Sequence, residues 1–304
     1  MRDPRRWFGI VAVPLILLLA CAPGGGQRGQ GDQRKGPITV GVSSSFAENQ
    51  IIAEMYAQVL EDAGYEVRRQ LSLESREISQ PALEKGEIEV KPEYLASLLA
   101  YLDPNAPASS NATENADRIR TLLEGKQIAL LEPSRANDTN ALVVTRQTAQ
   151  ERNLRRVSDL APIAGSLTLG GPPECPNRPF CIPGLRDTYG ITFGSFRPLD
   201  VGGPLTVAAL EGGEIDVAVL FTTSSVIRQR GLVLLEDDKN LQRADNITPV
   251  VNRRVLNDEV EGLLNGVSAQ LTTENITDLN TRVEVERQDP ADVARNFLRE
   301  KRLI

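Results

Sequence analysis

The 304-residue chain contains no histidine. This absence removes Ser-His-Asp and Cys-His nucleophilic sites, imidazole general bases and the usual histidine-bearing metal centres. Cysteine is nearly as scarce: Cys21 lies in the N-terminal segment, and Cys175 and Cys181 lie in "PPECPNRPFCIPG". Two cysteines without a histidine or a further cysteine beside them do not make any of the usual cysteine and histidine sets of a structural zinc site, so no metal is expected. Positive charge is in deficit, with 34 Lys and Arg against 41 Asp and Glu and a net charge of −7. An acidic chain with no basic stripe is a poor partner for nucleic acid. Aromatic residues make up only 4% of the sequence, so an aromatic binding surface has few side chains to draw on. Carboxylate-pair catalysis survives these exclusions. The acidic residues, however, are spread through helical charge patterns and turns, and no motif singles out a pair. No enzyme and no cofactor are expected; an exported enzyme using two carboxylates is kept as the alternative from another class.

The N-terminus reads as an export signal: Arg2, Arg5 and Arg6 precede an apolar run from Phe8 to Leu19. The run is short for a bilayer span, and Pro14 interrupts it. Its end, "LLAC", resembles a bacterial lipobox, which implies removal of residues 1–20 and lipidation of Cys21. Residues 21–37, Gly-rich and without a large apolar side chain apart from the last proline, then read as lipid anchor and flexible tether. Loss of Arg2, Arg5, Arg6 and Asp3 takes the net charge from −7 to −9. The expected location is the extracytoplasmic face of the cell membrane, held there by the lipid. In that compartment the close pair Cys175 and Cys181 reads as a disulfide.

Strands and helices alternate through the rest. "ITVGV" reads as a strand, and "SFAENQIIAEMYAQVLEDAGYEV" reads as a helix with Ile51, Ile52, Met55, Val59 and Leu60 on its apolar face. The alternation continues to three closing helices and points to α/β architecture with mostly parallel sheets. One nine-residue unit occurs twice: "ALEKGEIEV" from Ala82 to Val90 and "ALEGGEIDV" from Ala209 to Val217, 127 positions apart. That spacing is too wide for a solenoid and implies two related halves, each using one helix–turn–strand unit. In the same register Tyr94 corresponds to Phe221, placing two aromatics just past two equivalent strands. A small ligand is expected in the cleft between the two lobes.

The segments "SFAENQIIAEMYAQVLEDAGYEV", "ALEKGEIEVKPEY", "GGPPECPNRPFCIPGLRDTYGI", "ALEGGEIDVAVLFTT" and "DPADVARNFL", in that order, resemble the substrate-binding proteins of glycine betaine/choline/carnitine-type osmoprotectant ABC transporters. The resemblance implies the two-lobed periplasmic-binding-protein fold with two interdomain crossovers. Lobe I is expected over 38–140 and 249–304, and lobe II over 141–248. It also implies an ABC permease as membrane partner and a glycine betaine- or choline-like solute, with a less methylated, amino-acid-like zwitterion as the alternative. Such proteins surround a quaternary ammonium with ring faces, each contact contributing roughly 0.5–2 kcal/mol when desolvated, and pair the solute's carboxylate with an arginine. Carried over position by position, Tyr94 matches a cage tyrosine, Ser97 a hydroxyl position and Arg178 the carboxylate-binding arginine. Asp138 is kept, Asn140 stands where an aromatic is usual, Phe221 replaces a tyrosine, and Asp245 or Asn246 falls near the fourth ring. Ligand contacts are therefore expected from Tyr94, Ser97, Asp138, Asn140, Arg178, Phe221 and Asp245.

Overall fold

The structure, a computed structural model, describes residues 35–42 and 46–304; the expected signal peptide, Cys21 and nearly all of the tether lie outside the described residues. The chain first lays down β1 (Lys35–Gly41), α1 (Ala47–Asp62), β2 (Tyr65–Gln70), α2 (Arg76–Lys85), β3 (Val90–Tyr94), α3 (Leu95–Leu102), α4 (Ala112–Leu122) and β4 (Ile128–Leu130). It crosses over to β5 (Asn140–Val144), α5 (Arg146–Arg152), β6 (Thr168–Gly171), α6 (Ile182–Tyr189), β7 (Ser195–Pro198), α7 (Pro204–Glu211), β8 (Val217–Phe221), α8 (Val226–Gln229) and β9 (Val233–Leu234). It then returns through β10 (Ile247–Asn252) to α9 (Asp258–Gln270), α10 (Thr273–Glu284) and α11 (Pro290–Glu300).

Two five-stranded sheets result, with orders β2-β1-β3-β10-β4 and β7-β6-β8-β5-β9. The two orders map onto each other strand for strand. The expectation of mostly parallel sheets is corrected: β10 runs antiparallel to β3 and β4, and β5 runs antiparallel to β8 and β9. The pairings among β1, β2 and β3, and among β6, β7 and β8, are parallel. The reason is the route of the chain. β5 and β10 are each the strand that arrives from the other lobe, so each enters its sheet from the cleft side, against the direction set by the β–α–β units.

The repeated nine residues fold into the same turn twice. Gly86 and Gly213 both adopt the left-handed conformation, at φ 70° and 71°, which L-residues with a Cβ rarely take. The amide of Glu87 donates to the Ala82 carbonyl at 2.8 Å, and that of Glu214 to the Ala209 carbonyl at 2.9 Å. The acidic residue before each strand then ties it to its neighbour. The Glu89 carboxylate accepts from the Thr39 amide at 2.6 Å, and the Asp216 carboxylate from the Thr168 amide at 2.8 Å. Glu89 and Asp216 differ in length but perform the same task.

In the first lobe α1 is enclosed between the sheet and the closing helices, with Ile51, Ile52, Met55, Val59 and Leu60 all buried. The last of those helices, α11, is capped by Asp289, whose side chain accepts from the Ala291 amide, and Pro290 follows at the first helical position, where its missing N–H costs nothing. Val293, Ala294, Phe297 and Leu298 are its buried residues and join the same core as α1. Burying a valine, leucine or phenylalanine side chain such as these stabilises by about 1.5–3 kcal/mol. Such a rigid frame fixes where the N-terminal end of α1 points, which is into the cleft.

Candidate ligand site between the lobes

A cavity of about 290 Å³ lies between the lobes. Tyr94 ends β3, Phe221 ends β8, and both line it. Ile247 of β10 is the register partner of Tyr94, and Asn140 of β5 is the register partner of Phe221. Each incoming strand therefore places crossover residues beside an aromatic strand end, which is how Asp138, Asn140 and Asp245 reach the cavity.

A third ring joins these two. Phe46, in extended conformation just before α1, lies with its ring centroid 4.8 Å from that of Phe221 and 6.3 Å from that of Tyr94, at interplanar angles of 20° and 29°. The three rings form one stacked row that spans both lobes, a geometry favourable to aromatic pairs. Phe180 contributes a fourth ring to the cavity lining from the loop between Cys175 and Cys181, which are joined in a disulfide with Cα atoms 5.3 Å apart. Sequence reasoning missed both phenylalanines. Phe46 had a signal, since it stands where the first strand hands over to the first helix, a place where α/β folds face their ligand. Phe180 had the weaker one of sitting two residues from Arg178.

Tyr94, Ser97, Asp138, Asn140, Arg178, Phe221 and Asp245 all line this one cavity. Asn246 does not; its amide donates to the Ser134 carbonyl at 3.0 Å. Several of these polar groups are already engaged within the protein. Asp245 accepts from the Ser97 amide at 2.9 Å and the Ser97 hydroxyl at 2.6 Å, capping the first turn of α3. Burial pushes the Asp245 carboxyl up to about 6, against the lowering effect of the Ser97 bonds. Asn140 Nδ2 donates to the Phe180 carbonyl at 3.0 Å, and Gln242 Nε2 to the same oxygen at 2.9 Å. Asn140 thus holds the disulfide loop in place from the first crossover.

Beneath the aromatic row lies a buried polar network. Glu48, fully enclosed, accepts from the Tyr94 hydroxyl at 2.8 Å, Thr223 Oγ1 at 2.7 Å and Asn280 Nδ2 at 3.1 Å. Asp138 accepts from Thr222 Oγ1 at 3.1 Å and the Thr223 amide at 3.2 Å. Burial raises the pKa of both carboxyls, and the charge of Glu48 adds to the effect on Asp138. One proton between two such groups relieves the repulsion. On the first-lobe side, Arg76 grips Glu93 through Nε at 3.0 Å and Nη2 at 2.8 Å, while Lys91 Nζ reaches the same carboxylate at 2.8 Å. Burial alone would raise Glu93; Arg76 and Lys91 hold it at about 2 instead.

Ring faces beside buried carboxyls suit a cation that carries no strong N–H donors, and a guanidinium on the same cavity suits an anion. Among the described residues no cluster of Cys, Asp or Glu side chains is arranged to hold a metal ion.

Residues 36–300 match the family described as the substrate binding domain of ABC-type glycine betaine transport system. The chain is 29% identical over 301 residues to a glycine-betaine-binding protein of Pseudomonas aeruginosa, covering 95% of this chain and 94% of that one. It is 26% identical to the glycine betaine-binding protein YehZ of Escherichia coli, covering 88% and 92%. A crystal structure of a glycine betaine/carnitine/choline ABC transporter superposes with a TM-score of 0.68 at 25% identity, covering 88% of this chain and 99% of that one. The chain belongs to the family of substrate-binding domains of ABC-type glycine betaine transport systems.

Proposed function

We propose that the cleft takes up a small quaternary-ammonium solute, glycine betaine or choline in type, and that lobe closure presents it to an ABC permease. The observation that carries this reading is the row of Tyr94, Phe46 and Phe221, with Phe180 nearby, lining one cavity together with Arg178. A methylated cation is held by ring faces and by the negative charge shared between Glu48 and Asp138 behind them; a carboxylate, where the solute has one, meets Arg178. The two bodies that close are 38–139 with 247–304, and 140–246; the expected bounds shift by one or two residues because Asn140 already pairs within the second sheet and Ile247 and Thr248 within the first. Ser97, Asn140 and Asp245 shape the cavity by holding α3 and the disulfide loop. The family to which the chain belongs delivers solutes rather than transforming them, so the exported-enzyme alternative is set aside. The protein acts outside the cytoplasm, and Cys21 carries the lipid that keeps it at the membrane.

Glycine betaine, choline, carnitine, proline and glycine, each added to the purified protein while its thermal midpoint is followed, test the reading. A ligand that binds only the native state raises the midpoint in proportion to ln(1 + [L]/Kd). The quaternary compounds are expected to raise it, and proline and glycine to leave it unchanged. A rise with the N–H-bearing compounds alone would favour the less methylated zwitterion, with Asp138 as acceptor.

A further inference from the structure

Arg178 and Glu77 meet across the mouth of the cavity. Arg178 comes from the disulfide loop of the second lobe, and Glu77 from the first turn of α2 in the first lobe. Both line the cavity, and Arg178 Nη2 donates to Glu77 Oε2 at 3.0 Å. The side chains are 28% and 48% exposed, so solvent screens the pair and its direct effect on folding stability is small.

Its effect on the site is larger, because Arg178 is a cation in need of an anion. Its Nε is enclosed and meets no acceptor among the described residues. The neighbouring cation, Arg76, is committed to Glu93 within its own lobe and adds to the burial that already lowers the Arg178 pKa. Glu77 is therefore the protein's own carboxylate at the position where a solute's carboxylate would pair. Being half exposed, it can swing into water at little desolvation cost when a solute carboxylate takes its place. A cation with no carboxylate leaves the pair intact, and the pair then ties the closed lobes together.

We propose that Glu77 is a specificity-determining residue, an internal carboxylate that satisfies Arg178 when the solute has none, so that the lobes close on a carboxylate-free quaternary ammonium as well as on a zwitterion. This deepens the quaternary-ammonium reading above and rests on it. It makes choline-like cations substrates in their own right.

The test is calorimetric titration of choline and of glycine betaine into the wild type, Glu77→Ala and Glu77→Gln. Glu77→Ala is expected to weaken choline about two- to fivefold, the range of a partly screened ion pair, and to leave glycine betaine unchanged or tighter. The preference then moves toward glycine betaine by about twofold or more, with Glu77→Gln in between. Equal weakening of both ligands, a larger loss for glycine betaine, or a wild type that binds glycine betaine but no choline would each overturn the proposal while leaving the quaternary-ammonium reading standing. A wild type that binds neither compound overturns both.

Discussion

Thr223 Oγ1, just past β8 in the second lobe, donates to Glu48 Oε2 of α1 in the first lobe at 2.7 Å. Both groups are buried, and the bond can exist only while the lobes are together. Thr223→Val keeps the shape and removes the donor. A buried hydrogen bond contributes about 0.5–1.5 kcal/mol net, and more when its acceptor is charged, so solute affinity should fall by about threefold or more through a shift toward the open state. Calorimetry on the variant checks this, and unchanged affinity would show that the Glu48 network does not respond to closure.

Phe46 bridges Tyr94 and Phe221, so Phe46→Ala removes the middle ring of the row. Loss of about 1–2 kcal/mol of binding to a quaternary ammonium is expected, with Phe46→Tyr close to wild type. Fluorescence or calorimetric titration of the pair of variants reads the difference directly. Equal affinity in Phe46→Ala would mean that the ring merely fills space.

Two buried carboxyls give stability opposite dependences on pH. Asp245 is raised from 3.8 to about 6; its folded form holds the proton more tightly, so its contribution is complete below pH 3.8 and is lost as pH rises through 6. Glu93 is lowered from 4.5 to about 2; its contribution is complete above pH 4.5 and is lost as pH falls toward 2. Stability should therefore increase on going from pH 7 to about 5, by on the order of 1 kcal/mol from Asp245, and the loss from Glu93 sets in below pH 4.5. Denaturant unfolding across pH 3–8 measures the profile, and Asp245→Asn should make the branch between pH 4 and 6 shallower, the raised carboxyls of Glu48 and Asp138 keeping the rest of it, while the acid branch stays in place.

The disulfide between Cys175 and Cys181 closes a short loop, and both cysteines are buried in the second-lobe core. A loop of this length contributes about 2 kcal/mol by chain entropy. The double substitution of Cys175 and Cys181 by Ser should lower stability by roughly that amount and weaken solute binding as well, because Arg178 and Phe180 lose their frame. Binding at wild-type strength in the double variant would show that Asn140 and Gln242 hold the loop unaided.

The sequence made the doubled turn legible for a local reason. A left-handed glycine at Gly86 and Gly213 and an acidic tie at Glu89 and Asp216 are written within nine residues, and they carry Tyr94 and Phe221 to equivalent places. The features that stayed hidden depend on partners far apart in the chain. Asn140 was legible as a residue of the cavity, which it lines, but its bond to the Phe180 carbonyl was not, because that partner lies 40 residues away on the disulfide loop. Phe46 reads like any apolar residue before a helix until α1 is docked by α9, α10 and α11. The antiparallel strands escaped because alternation of strand and helix records the succession of elements along the chain, not the direction in which a crossover strand enters its sheet.

A crystal structure of the complex with glycine betaine bears most directly on the proposed site. The trimethylammonium group should lie within about 6 Å of the ring centroids of Phe46, Tyr94 or Phe221, with the carboxylate on Arg178 and Glu77 turned away from it. A solute bound elsewhere, or one held in this cavity without contact to either the rings or Arg178, would contradict the assignment.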